Sequence, residues 1–136
     1  TQWPKGVTEE RVIELIKEHS LSSWYLPMIH FDTDKSAIKP EFVDELASIA
    51  DVMQANQALT LDVTGHADHR YTEEYNLALS QRRAESAVNY LVENFGIDRG
   101  RFNIHYEGET DPLIEDARTA SELYMNRRVE FNVATR

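Results

Sequence analysis

Cysteine is absent from the 136 residues. That removes disulfides, thiolate metal sites and cysteine nucleophiles together, and it fits a cytosolic or a periplasmic protein equally. Positive charge is scarce, with 14 Lys and Arg against 24 Asp and Glu and a formal net charge of −10. Phosphate binding needs a basic surface, so this balance argues against a nucleic-acid partner and makes anionic lipid a poor docking surface. No apolar run approaches the ~20 residues of a membrane span, so this segment has no direct membrane insertion of its own. No signal peptide opens the sequence; the abrupt start Thr1-Gln2-Trp3-Pro4 points to a mature or excised fragment. Repeats and low-complexity stretches are missing. So are the GxSxG, P-loop, HExxH and Rossmann glycine signatures of catalysis, and neither an enzyme nor a cofactor is expected. What is present, 41% hydrophobic and 28% charged residues, is ordinary for a single globular domain.

The hydrophobic pattern gives the elements. Residues 1–7 read as an irregular leader, and Thr8 as the N-cap of a short helix near 9–19. A first strand is expected over 24–31, then a polar loop at 32–36. Lys39-Pro40-Glu41 opens a helix with proline in its first turn, and Phe42, Leu46, Ile49, Ala50 and Met53 form its core stripe. Leu59, Leu61 and Val63 alternate as a strand over 59–64. A long helix follows, with Ala84, Ala87, Val88, Leu91 and Phe95 inward and Gly96 as its stop. Strands are expected at 102–107 and 128–134, the latter with Val129, Phe131 and Val133 inward, separated by a turn-rich stretch and a short helical piece at 118–125. The βαβα-ββ order predicts an α/β sandwich, helices packed on a mixed sheet.

Two charges stand out. Asp68 ends the second strand, and fifteen residues later Arg83 lies on the long helix. At roughly 100° per residue, Arg82 points about 160° from the centre of the apolar stripe and Arg83 about 100°, on the border of the core. Asn76 and Ser80 fall on Arg83's side. A structural salt bridge is the plain reading of such a pair. The functional one is that a carboxylate and a guanidinium a few ångströms apart complement an amino acid's own ammonium and carboxylate, the arginine gripping through two parallel N–H bonds.

Four stretches in order, GHAD (65–68), YNLALSQRRA (75–84), GETDP (108–112) and NRRVEF (126–131), resemble the OmpA-like peptidoglycan-binding domains. The resemblance covers about 27–134 and divides the chain into a leader with a short helix (1–24) and an OmpA-like domain (25–136). It implies non-catalytic binding of the peptidoglycan stem peptide in the periplasm, where the domain tethers an outer-membrane or other envelope protein to the cell wall. In that family the aspartate–arginine pair, here Asp68 and Arg83, holds the free amino-acid end of meso-diaminopimelate. Asp32 and Thr33 would join them from the same sheet edge, with Asn76 and Leu79 beside the pocket. One of Arg127 and Arg128, taken as Arg128, would help to shape it; strand alternation does not decide between them. Each has a bland alternative: a solvated turn, a helix cap for Asn76, simple packing for Leu79, and structural ion pairs for the arginines. The family usually has threonine where this chain has Ala67, and glycine where it has Tyr71. These departures leave open a domain that kept the fold and lost the pocket. A further alternative is a metal-dependent hydrolase on His66, Asp68 and His69, with His30 and Asp32 converging from the neighbouring strand. The acidic pairs Asp32/Asp34 and Glu107/Glu109 give only a weak glycosidase signal.

Overall fold

A computed structural model describes residues 6–8, 11 and 26–134. The expected leader, most of the helix at 9–19 and the boundary at 24/25 lie outside the described residues. Thr8, the expected cap residue, is described: its Oγ1 accepts from the backbone N–H of Arg11 at 3.3 Å.

The elements run β1 (Ile29–His30), a 3-10 turn (Pro40–Phe42) leading into α1 (Val43–Ala55), β2 (Leu61–Gly65), α2 (Glu73–Phe95), β3 (Phe102–Tyr106), α3 (Ala120–Asn126) and β4 (Arg128–Val133). The four strands form one sheet in the order β1-β4-β2-β3. Strand β4 is antiparallel to both β1 and β2, while β2 and β3 are parallel. Strands β1 and β2 therefore point the same way, and the loops that follow them leave from one edge of the sheet.

Period-two patterning builds the faces. Leu61, Val63, Phe102, Val129 and Phe131 are buried against the helices. The reverse face is polar, where His105 Nε2 and Asn103 Nδ2 each lie 3.2 Å from Asp62 Oδ1. The α1 stripe Phe42, Leu46, Ile49, Ala50 and Met53 is buried as its spacing predicts, and so are Ala84, Ala87, Val88 and Leu91 of α2. Each fully buried large aliphatic side chain contributes ~1.5–3 kcal/mol. Helix α2 starts at Thr72, whose side chain accepts from Tyr75 N, and ends at Gly96 in the left-handed conformation, φ +68°. Helix α3 opens on a capping box between Thr119 and Glu122.

Two expectations change. Over the described residues the first strand is only two residues long: Pro27 has no N–H to give a ladder, and pairing is confined to Ile29 with Val129 and His30 with Arg128. Val133 keeps its parity but is 40% exposed; it lies on the lip of an apolar groove of about 490 Å³ with Leu26, Val52 and Leu59. The short helical piece expected at 118–125 is helix α3, which separates the last two strands.

Gly65 brings β2 and α2 together. A Cβ on this residue would overlap the backbone carbonyl of Ser80, so the close approach of strand to helix exists only without a side chain. Gly65→Ala is expected to lower stability by about 3 kcal/mol, the upper end of ordinary overpacking, because backbone rather than a flexible side chain must yield. Urea unfolding reads the change, and an unaltered midpoint would contradict the contact.

Candidate functional site

The shared sheet edge gathers the loops after β1, β2 and β3 with the entry to β4. At its centre lies Asp68, its side chain only 3% exposed. The chain turns directly after it. The backbone N–H of Arg70 donates to Asp68 Oδ1 at 3.1 Å, the local aspartate turn that short polar side chains favour. The same turn folds the Arg70 guanidinium back, with Nε 3.0 Å from Oδ1 and Nη2 2.8 Å from Oδ2. Arg70 Nη2 also donates to Thr33 Oγ1 at 2.9 Å. From the other side Arg127 Nη1 reaches Asp68 Oδ2 at 3.3 Å, while its Nε donates to the Phe31 carbonyl at 2.8 Å.

Arg83 is fully buried. Its Nε donates to the carbonyl of Lys35 (2.9 Å), Nη1 to that of His66 (3.0 Å) and Nη2 to that of Asp32 (3.1 Å). The guanidinium also sits over the Phe31 ring, 5.3 Å from its centroid. One side chain on α2 thus ties down both loops that frame Asp68, and three of its five N–H donors are spent on that task. No ion pair joins Arg83 to Asp68 among the described residues; the partners of Asp68 are Arg70 and Arg127.

The electrostatics follow from this packing. Burial pushes the Asp68 carboxyl up, but the hydrogen bonds and charge of Arg70, with help from Arg127, outweigh it and hold the group below its usual value. Burial and then the neighbouring Arg127 lower Arg83 to about 9, which leaves it charged at neutral pH. Burial lowers Arg127 as well, against the pull of Asp68. In a chain of net charge −10, one carboxylate is therefore set among three guanidinia, an arrangement that attracts anions.

The remaining expected residues fall around this centre. Asp32 binds Lys39 Nζ at 2.9 Å through Oδ1. Asn76, fully buried, donates from Nδ2 to the Tyr71 carbonyl at 3.2 Å and to Glu109 Oε1 at 3.0 Å, so it links the two loops beside the helix start. Leu79 is buried. Ser80 Oγ donates to the Leu77 carbonyl and accepts from Gly108 N. Tyr71 does not sit at positive φ, so the departure from glycine imposes no backbone strain there. Arg128 turns away from Asp68: its Nε lies 2.6 Å from Glu130 Oε2 and its Nη2 3.0 Å from the Asp111 carbonyl. The structure brings Arg127, not Arg128, to the carboxylate.

The histidines do not assemble with Asp68. Both ring nitrogens of buried His66 lack a hydrogen-bond partner, with Glu130 3.8 Å away. His30 stacks on Tyr124 at 4.7 Å and shares a hydrogen bond with its carbonyl. His69 lines a separate groove of about 150 Å³ with Ala67, Pro112 and Ile114. Among the described residues no three histidine, aspartate or glutamate side chains could hold a metal ion.

A helix-backed mixed sheet, with an arginine-flanked carboxylate where its loops meet, defines the class as a mixed α/β domain. The OmpA family model matches residues 30–126, and the chain belongs to that family. It is 37% identical over 105 residues to outer membrane porin F of Pseudomonas aeruginosa, covering 77% of this chain and 30% of the porin. It is also 37% identical over 86 residues to the peptidoglycan-associated lipoprotein of Haemophilus influenzae, covering 63% of this chain and 56% of the lipoprotein. Both relatives are thus longer than the part matched. Among solved structures, the cell wall anchor of the type VI secretion system (T6SS) from Pseudomonas aeruginosa superposes with a TM-score of 0.66 at 27% identity, covering 95% of this chain and 98% of the anchor. No helix among the described residues is long and apolar enough to cross a membrane.

Proposed function

We infer that this domain binds the peptide stem of peptidoglycan without catalysis, in the periplasm, and tethers an outer-membrane or other envelope protein to the cell wall. The observation that carries the reading is Asp68, a buried carboxylate held ionised among Arg70, Arg83 and Arg127 where the sheet's loops meet. The family and the names of the lipoprotein and cell-wall-anchor relatives supply the class of ligand. Asp68 accepts from the ammonium of meso-diaminopimelate. Arg83, with two N–H donors beyond those it gives to carbonyls, takes the adjacent carboxylate. Asp32 and Thr33 meet the peptide from the first loop, Asn76 and Leu79 hold the walls, and Arg127, in the place expected for Arg128, braces the carboxylate. Binding and release of such a stem needs neither metal nor cofactor.

The test is discrimination. A lysine stem differs from the diaminopimelate stem by one carboxylate, and a site built for that charge leaves its own donors unpaired without it. Losing a charge-assisted bond costs ~1.5–3 kcal/mol, so calorimetry at one salt concentration is expected to show a preference of roughly 10- to 100-fold for diaminopimelate. Equal affinities would exclude a side-chain carboxylate contact. Binding of neither stem, nor of insoluble peptidoglycan, would leave a family fold that has lost its pocket.

A further inference from the structure

Asp68 is not vacant in the free domain. Of the four charged side chains at the centre, Asp68, Arg83 and Arg127 are buried, whereas the Arg70 side chain is 37% exposed. Arg70 covers the carboxylate with a two-point grip, Nε on Oδ1 and Nη2 on Oδ2, and takes the very acceptors that an incoming ammonium needs. Two other supports of Asp68 do not depend on that guanidinium: the backbone N–H at position 70 holds Oδ1, and Arg127 holds Oδ2. The Arg70 side chain can leave without dismantling the site. It is anchored two residues from Asp68 and otherwise touches the hydroxyl of Thr33, so a displaced guanidinium stays at the pocket mouth.

We propose that Arg70 is a specificity residue which makes the site select ligands carrying an ammonium and a carboxylate together. This rests on the stem-peptide reading above. The arriving ammonium takes the Asp68 oxygens from Arg70. The freed guanidinium then pairs with the carboxylate that the same ligand end carries, beside the grip of Arg83. Every charge keeps a partner, and planar guanidinium matches carboxylate with two parallel bonds. A ligand with an ammonium alone must displace Arg70 and gives it nothing in return. A ligand with a carboxylate alone cannot displace Arg70 from Asp68, because it offers that aspartate only like charge.

Neither helical nor strand period marks the position. Arg70 lies inside the loop that carries both departures from the family pattern, Ala67 and Tyr71. Its Nη2 bond to Thr33 also bridges the first two loops, so its release loosens the contact between them as the ligand enters.

The experiment is calorimetric titration of wild type, Arg70→Gln and Arg70→Lys with a meso-diaminopimelate stem tripeptide and its lysine analogue, at one salt concentration, after melting curves confirm that each variant is folded. In Arg70→Gln the competitor and the second carboxylate clamp disappear together. The lysine stem is expected to bind more tightly and the diaminopimelate stem no more tightly than before, so the preference between them falls roughly tenfold, the factor one good charged contact carries. Arg70→Lys, which keeps the charge and loses the fork, is expected to lie between the two. Equal tightening toward both peptides would make Arg70 only a competitor, and equal weakening would make it only a brace for Asp68. Either result, or an unchanged preference, overturns the specificity role while leaving stem binding in place. Failure of the wild type to bind either peptide removes the stem-peptide reading itself, and it is seen before any substitution is made.

Discussion

Arg83→Ala is expected to abolish retention on insoluble peptidoglycan and to lower folding stability by about 3–5 kcal/mol, while Arg82→Ala, one residue away, changes neither appreciably. The contrast comes from burial. Arg83 is fully buried and supplies N–H donors to the carbonyls of Asp32, Lys35 and His66. Leaving a buried acceptor unpaired costs ~1–3 kcal/mol; the buried His66 carbonyl loses its Arg83 donor, as does that of Lys35, while the Asp32 carbonyl keeps only the Lys35 N–H, and a cavity is added. Arg82 is exposed and rests against the Tyr75 ring at 5.9 Å, where its removal takes away little. Arg83→Lys separates the effects, because one ammonium keeps the charge but cannot span three carbonyls. Pull-down and urea unfolding on all three variants decide the matter; equal losses for Arg82 and Arg83 would contradict the helix face.

Acid is expected to unfold the domain steeply. Burial lowers His30 to about 3, its Tyr124 backbone bond opposing and the charges of Arg128 and Arg127 reinforcing the shift. Burial and then Arg128 lower His66 to about 3. Both rings are therefore neutral in the fold and bind protons readily once unfolded. Their contribution is intact above the unfolded value of 6.5 and is lost as pH falls from there toward 3. Each depressed histidine costs ~1.4 kcal/mol per pH unit in that window. Between pH 7 and pH 5 the pair removes about 4 kcal/mol, a large share of an ordinary domain's stability. Asp68, lowered in the fold, adds to the loss only at lower pH, as its carboxylate is protonated. Urea unfolding at several pH values reads the slope as an uptake of about two protons on unfolding; His30→Gln and His66→Gln should each remove about one, whatever they do to stability itself. A flat profile from pH 7 to pH 5 would mean that the rings reach solvent in the fold.

Helices were the most legible part of the sequence. The stripe from Phe42 to Met53 and that from Ala84 to Leu91 are buried as their spacing requires, because a 3.6-residue period survives over several turns. Short edge pairing was not: whether residues 24–28 join a strand depends on a partner a hundred positions away, and Pro27 already limits the ladder. At the site, helical geometry put Arg83 on the border of the core. Full burial comes from loops 32–35 and 66 closing over it, a contact between segments that no local period encodes. Arg127 and Arg128 are neighbours of identical chemistry, and the choice between them depends on where α3 ends. Arg127 sits at that end, outside the strand's alternation, while Arg128 shares a face with Glu130. Arg70 carries a local signal: an aspartate two residues before it can bond its backbone N–H and turn the chain back.

The strand that comes last in the chain lies between β1 and β2 in space. Ile29 pairs with Val129, and Leu61 with Val133. Strand β1 has no neighbour and β2 has only β3 until nearly the whole domain has been made, and each pairing with β4 closes a long loop before any ladder bond repays the lost entropy. A ribosome-bound or partly translocated chain can form helices α1 and α2 and the parallel β2–β3 pair, but not the four-stranded sheet that buries the helices. Completion of the sheet is thus postponed until β4 has been made, and trimming the domain before Arg128 would remove the middle of the sheet rather than its margin.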